Sequence, residues 1–177
     1  PLERARHLAL AATDPDAAVT AELETAAGLA VARGAPEIGA ELFERAAELT
    51  AADEPDVAGR RILAAAGLYL QGGAPDKAGR LLEALLEQSF EPPRAEALHL
   101  LSLVRFRQER YEEAFGLLYQ GLAHASSSEV RAAIELDLAF VGLSSTLDHR
   151  PALIHAEAAV EHAERSDERG LLAAALA

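Results

Sequence analysis

The stretch GAPDKAGRLLEALLEQ, Gly73 to Gln88, has nearly the same layout as GAPEIGAELFERAAEL, Gly34 to Leu49, which begins 39 positions earlier (73 − 34). A third copy, YEEAFGLLYQGLAHA from Tyr111, follows Glu109, which stands 36 positions after Gly73 (109 − 73). A period of this length holds two helices and a turn. Such a unit cannot bury its apolar face alone, so copies must stack and cover one another.

Between the repeats, Pro and Gly clusters punctuate a nearly continuous helical pattern. Breaks fall at Thr13-Asp14-Pro15, Arg33-Gly34-Ala35-Pro36, Ala52-Asp53-Glu54-Pro55, Gln71-Gly72-Gly73-Ala74-Pro75, Phe90-Glu91-Pro92-Pro93, Gln108-Glu109-Arg110, Ser126-Ser127-Ser128 and Leu147-Asp148-His149-Arg150-Pro151. About ten helices are expected from these breaks, since each leaves a segment of helix length. Within the Gly73 copy, Ala78, Leu81, Leu82, Leu85 and Leu86 recur at three and four positions, which is a helix stripe wide enough to bury. Sustained strand alternation is absent. Half of the chain is hydrophobic but only 5% is aromatic. The apolar content is therefore mostly Ala and Leu, both strong helix formers, and close helix packing is expected.

The spacing resembles the tetratricopeptide repeat. In the middle unit Ile62, Ala65, Ala66 and Tyr69 fall on its first helix, then Gly73, Ala78, Leu82 and Leu85 on its second. Leu23, Ala26, Ala27, Gly39, Phe43 and Ala46 take those places in the preceding unit, and Leu98, Leu101, Ser102, Ala114, Leu118 and Gly121 in the following one, where Arg105 replaces the tyrosine. The fourth unit, Glu129 to Arg165, keeps the periodicity and loses the motif. The resemblance implies an all-α fold, a right-handed superhelical array of TPR-like antiparallel helix hairpins. We expect one domain over 1–177, with leading helices in 1–33, the clearest repeats in 34–125, and a degenerate repeat with the start of another in 126–177. The uncapped apolar pattern LLAAALA and the missing initiator methionine suggest a piece of a longer chain.

The run RARHLALAATDPDAAVTAELETAAGLAVARGAPEIGAELFERAAELT also resembles the region that follows the ATPase module in large ATP-binding regulators of the LuxR family. The matching elements are Arg4 to Ala9, Asp14 to Asp16, Ala32 to Gly34 and Arg45 to Thr50. This resemblance implies a regulatory arm that receives a protein partner or a small-molecule inducer and passes that state to other domains of the same polypeptide. The alternatives are a tetratricopeptide adaptor for peptide segments of a partner and, more remotely, an enzyme fragment with an Ala-rich helical domain.

ATP and DNA would belong to the flanking modules. No G-x-x-x-x-G-K-[ST] occurs, and after Gly116 to Gly121 Leu122 stands where a lysine must reach phosphate. The net charge of −13 repels nucleic-acid backbones, so this segment is not expected to bind them. With no cysteine, disulfides and thiolate metal sites are excluded. No apolar run approaches the roughly 20 residues of a membrane span, and no secretory leader opens the chain. A cytoplasmic location without membrane contact is expected.

Reaction chemistry finds little support. Of the six histidines only His155 and His162 share a helix face, without H-E-x-x-H spacing, so no metal or other cofactor is expected. Ser126 to Ser128 read as a helix cap, and acidic pairs such as Glu112-Glu113 complement helix starts. Among the aromatics, Tyr69 and Phe115 fall on core positions, whereas Phe106, Tyr111 and Tyr119 remain candidates for a ligand platform. The concave side of stacked hairpins is lined by first helices. The tetratricopeptide layout would put Arg60, Leu63, Leu70 and Gln71 there in the middle unit, and His99, Leu103, Phe106 and Arg107 in the next. Phe106 beside arginines could hold an apolar group next to a carboxylate, or could instead pack against the next hairpin.

Overall fold

The computed structural model describes residues 7, 12, 14–88, 93–145 and 150–166, with the backbone alone for 144 and 145. The described residues form eight helices and no strand: α1 (Ala17–Ala32), α2 (Pro36–Glu48), α3 (Pro55–Gln71), α4 (Pro75–Leu86), α5 (Arg94–Arg107), α6 (Tyr111–His124), α7 (Ser128–Ser145) and α8 (Arg150–Ser166). The expected leading segment before residue 14 and the segment after 166 fall almost wholly outside the described residues. Two compact units result, Pro1–Pro93 and Arg94–Ala177.

Local chemistry sets the helix ends. Asp16 caps α1 by accepting from the backbone N–H groups of Ala18 and Val19 at 2.8 and 3.1 Å. Helices α2, α3 and α4 begin with Pro36, Pro55 and Pro75 at their first turns, where a missing N–H costs nothing. The turns that separate paired helices pass through the left-handed region at Gly34 (φ 76°), Gly73 (φ 79°) and Glu109 (φ 60°). The three repeat starts are therefore one turn used three times, and only the third lacks the residue best suited to it. The serine run behaves as a cap: Ser127 Oγ accepts from Val130 N at 3.2 Å at the start of α7.

In the first unit α1 pairs with α2, α2 with α3, and α3 with α4. Leu23, Ala26 and Ala27 meet Leu42, Ala46 and Leu49, with Phe43 partly buried at the edge. Gly39 permits the close approach. A Cβ there would come within 3.2 Å of the Ala27 carbonyl and 2.9 Å of Val31 Cγ2. Of the eight positions marked out by the repeat pattern in the middle hairpin, Ala65, Ala66, Tyr69, Ala78, Leu82 and Leu85 are buried, whereas Ile62 is half-buried and Gly73 is exposed in the turn. Polar ties then lock the stack. Arg61 Nε donates to Glu24 at 2.6 Å and its Nη1 to Thr50 Oγ1 at 2.5 Å, which joins α3 to α1 and to the end of α2.

In the second unit α5 pairs with α6, α7 stacks on both, and α8 pairs with α7. The core here is Ala95, Leu118, Ala125, Ile134, Leu138 and Val141. Small residues again set the approach: a Cβ on Gly121 would lie 3.0 Å from Ile134 Cδ1, and one on Gly142 would lie 3.3 Å from Ala152 Cβ. The Gly142 and Ala152 contact takes the place of Ala27 and Gly39 in the first hairpin, so the last pair of helices is a fourth hairpin built the same way.

Candidate functional site

The eight residues expected on the first-helix face divide between α3 and α5. On α3, Arg60 and Gln71 are exposed, Leu63 is half-buried, and Leu70 is buried at 5% exposure. Leu70 is therefore corrected from surface to core: it lies near the end of α3, just beyond Tyr69, where the helix turns into its hairpin. On α5, Arg107 is exposed while His99, Leu103 and Phe106 are half-buried. His99 is committed within the stack, its Nε2 lying 2.5 Å from Asp137 Oδ2 on α7.

Phe106 stands at the edge of the second core and at the centre of an aromatic cluster. Its ring centroid lies 5.5 Å from Tyr111 in an edge-to-face arrangement and 5.6 Å from Phe140. Phe106 thus packs against the next hairpin through Phe140 while remaining only half-buried. Phe140 remains 56% exposed, and Leu143, one turn further along α7, 53% exposed. Together Phe106, Tyr111, Phe140 and Leu143 form an apolar surface, with Arg107 next to Phe106 in sequence. Large exposed apolar side chains that gather in this way mark interaction surfaces more often than singly scattered ones do.

Phe140 and Leu143 are absent from the sequence-level site, because the register of the fourth repeat is hidden in the run LAFVGL, where six consecutive apolar positions carry no period. Tyr119 stands apart from this cluster, its hydroxyl 3.1 Å from His155 Nε2. His155 Nδ1 is bound to Glu135 at 2.6 Å, and no group of three or more metal-ligating side chains occurs among the described residues.

The first unit has a small cavity of about 180 Å³ lined by Glu44, Tyr69, Lys77, Arg80 and Leu81. Its polar groups are largely satisfied internally. Tyr69 donates its hydroxyl to Glu44 at 2.9 Å, and the Lys77 ammonium lies 4.9 Å from the Tyr69 ring centroid and within 3.8 Å of both Glu37 and Glu41. Burial, then the hydrogen bond to Glu44 and the charges of Glu44, Glu41 and Glu37, push the Tyr69 pKa well above that of an ordinary phenol. Tyr69 thus serves as a neutral donor that fastens α3 to α2. In the following unit its place is taken by Arg105, which approaches Glu113 at 3.4 Å.

No protein-family model matches the chain, and no curated protein matches it in sequence. Among solved structures, that of MamA, a TPR-like protein, superimposes with a TM-score of 0.59 over 85% of this chain and 88% of MamA, at 17% identity. At that identity the likeness establishes the fold, an all-α array of TPR-like helix hairpins. No helix among the described residues is long and apolar enough to cross a membrane.

Proposed function

We propose that the chain is a protein-interaction module, and that its second unit holds a partner peptide by an apolar anchor on Phe106, Tyr111, Phe140 and Leu143. The observation that carries this reading is the exposure of Phe140 and Leu143 beside Phe106 on a repeat fold whose first helices offer an extended surface. Arg107 adds a guanidinium suited to a carboxylate next to the anchor. The module acts by binding and not by catalysis. Selecting a displayed random-peptide library on the protein tests the reading. Enriched peptides should share a bulky apolar residue and should not bind the double variant Phe140→Ser, Leu143→Ser at unchanged melting temperature. Enrichment of peptides that bind the double variant equally well would refute it.

A finer reading is favoured by the run from Arg4 to Thr50: that the module is the sensor arm of a LuxR-type ATP-dependent transcription regulator, and that its partner is an inducer or another domain of the same polypeptide. ATP and DNA would then be handled by other parts of that polypeptide, in the cytoplasm. The encoding gene supplies the test. A phosphate-binding glycine loop encoded upstream and a helix-turn-helix downstream are expected, and a gene lacking both would leave only the adaptor.

A further inference from the structure

The three tyrosines of the chain occupy three different environments. Tyr69 is buried and its hydroxyl is engaged by Glu44. Tyr111 packs edge-on against Phe106. Tyr119, on α6, is 52% exposed, and its hydroxyl faces His155 Nε2 of α8 at 3.1 Å. On the other side of the imidazole, Nδ1 lies 2.6 Å from Glu135 Oε2 of α7. A carboxylate only accepts, so Nδ1 carries a hydrogen, and in the neutral tautomer that this selects Nε2 offers its lone pair to the phenol O–H.

Three helices thus build a line of carboxylate, imidazole and hydroxyl, the order of roles by which a hydroxyl is activated for attack. Side chains of His155 and Glu135 are only 17% and 12% exposed, which holds the ring in place. The hydroxyl at the end of the line belongs to a residue open to solvent. None of this is needed to hold a peptide on the Phe106 surface.

We propose that Tyr119 is a nucleophilic hydroxyl that accepts acyl groups from activated acyl donors such as thioesters, with His155 as its base and Glu135 as the positioning residue. Tyr119 Oη attacks the acyl carbon while its proton passes to His155 Nε2. The bond to the leaving group then breaks as the carbonyl re-forms, and His155 returns the proton to the departing thiolate. The products are one O-acyl-tyrosine and one thiol. Each chain accepts one acyl group, so the step is a modification and not a turnover.

Limited treatment of the whole protein with N-acetylimidazole, followed by peptide mass mapping, tests the proposal. In that probe the leaving group is imidazole. Tyr119 should be acetylated roughly 100-fold faster than Tyr111, the low end of the range of general-base assistance. His155→Asn should bring the two rates together. Glu135→Gln, which can still accept from Nδ1 but lacks the charge that supports an imidazolium, should fall between. Equal rates for Tyr119 and Tyr111 in the unaltered protein would overturn the proposal without any variant having to fold. So would acetylation that accumulates on His155, or a Tyr119 rate unmoved by His155→Asn in a variant that melts normally.

Discussion

At the scale of single residues, the repeat leaves one position at odds with its conformation. Glu109 adopts φ 60° where the other two turns have glycine. The left-handed region costs a residue with a Cβ about 1–2 kcal/mol, and glycine returns part of that through the greater freedom of the unfolded chain. Glu109→Gly should therefore raise the unfolding free energy by about 0.5–1 kcal/mol in denaturant titration. Tyr69 makes a second prediction. Its folded pKa is raised, so the folded state holds the phenolic proton more tightly than the unfolded chain does. The resulting stability is complete below the unfolded pKa of about 10 and declines above it, by at most about 1.4 kcal/mol per pH unit. Between about pH 10 and 12 the native protein should lose stability more steeply than Tyr69→Phe, as read by chemical denaturation at each pH. Parallel curves for the two proteins would show that Tyr69 is not the group involved.

At the scale of helices and hairpins, legibility followed the spacing of small residues. Ala66, Ala78 and Gly39 could be placed from sequence because a glycine-alanine-proline turn precedes α2 and α4, and the burial of their stripes follows from it. The sequence between α7 and α8 holds no Gly-Ala-Pro. The close approach of these two helices, Gly142 on Ala152, is preceded by an unbroken apolar run, and a helix in which most faces are apolar does not announce which one is buried. That is why Phe140 and Leu143 came only with the structure. Leu70 is misplaced for a related reason: each residue turns a helix by about 100°, so a one-residue error in the assumed register carries a side chain from rim to core. Phe106 and Arg107, neighbours on α5, should separate cleanly. Phe106→Ala removes a half-buried ring from the edge of the second core and should cost about 2 kcal/mol, below the roughly 3–5 of a fully buried phenylalanine. Arg107→Ala should stay within about 0.5 kcal/mol in the same thermal or denaturant experiment.

At the scale of the whole chain, charge and surface set what can be bound. With a net charge of −13 the purified chain should give no salt-sensitive, sub-micromolar complex with duplex DNA in gel shift, since such a complex depends on releasing counterions to basic side chains. What the second unit offers is an apolar surface of two aromatic rings and a leucine around the edge of Phe106. The most direct test is to titrate the isotope-labelled protein with a peptide selected on it and to follow amide and methyl shifts across the chain. Binding at the proposed surface predicts saturable shifts that cluster on Phe106, Arg107, Tyr111, Phe140 and Leu143. Shifts that cluster elsewhere, with these residues unmoved at saturation, would contradict it.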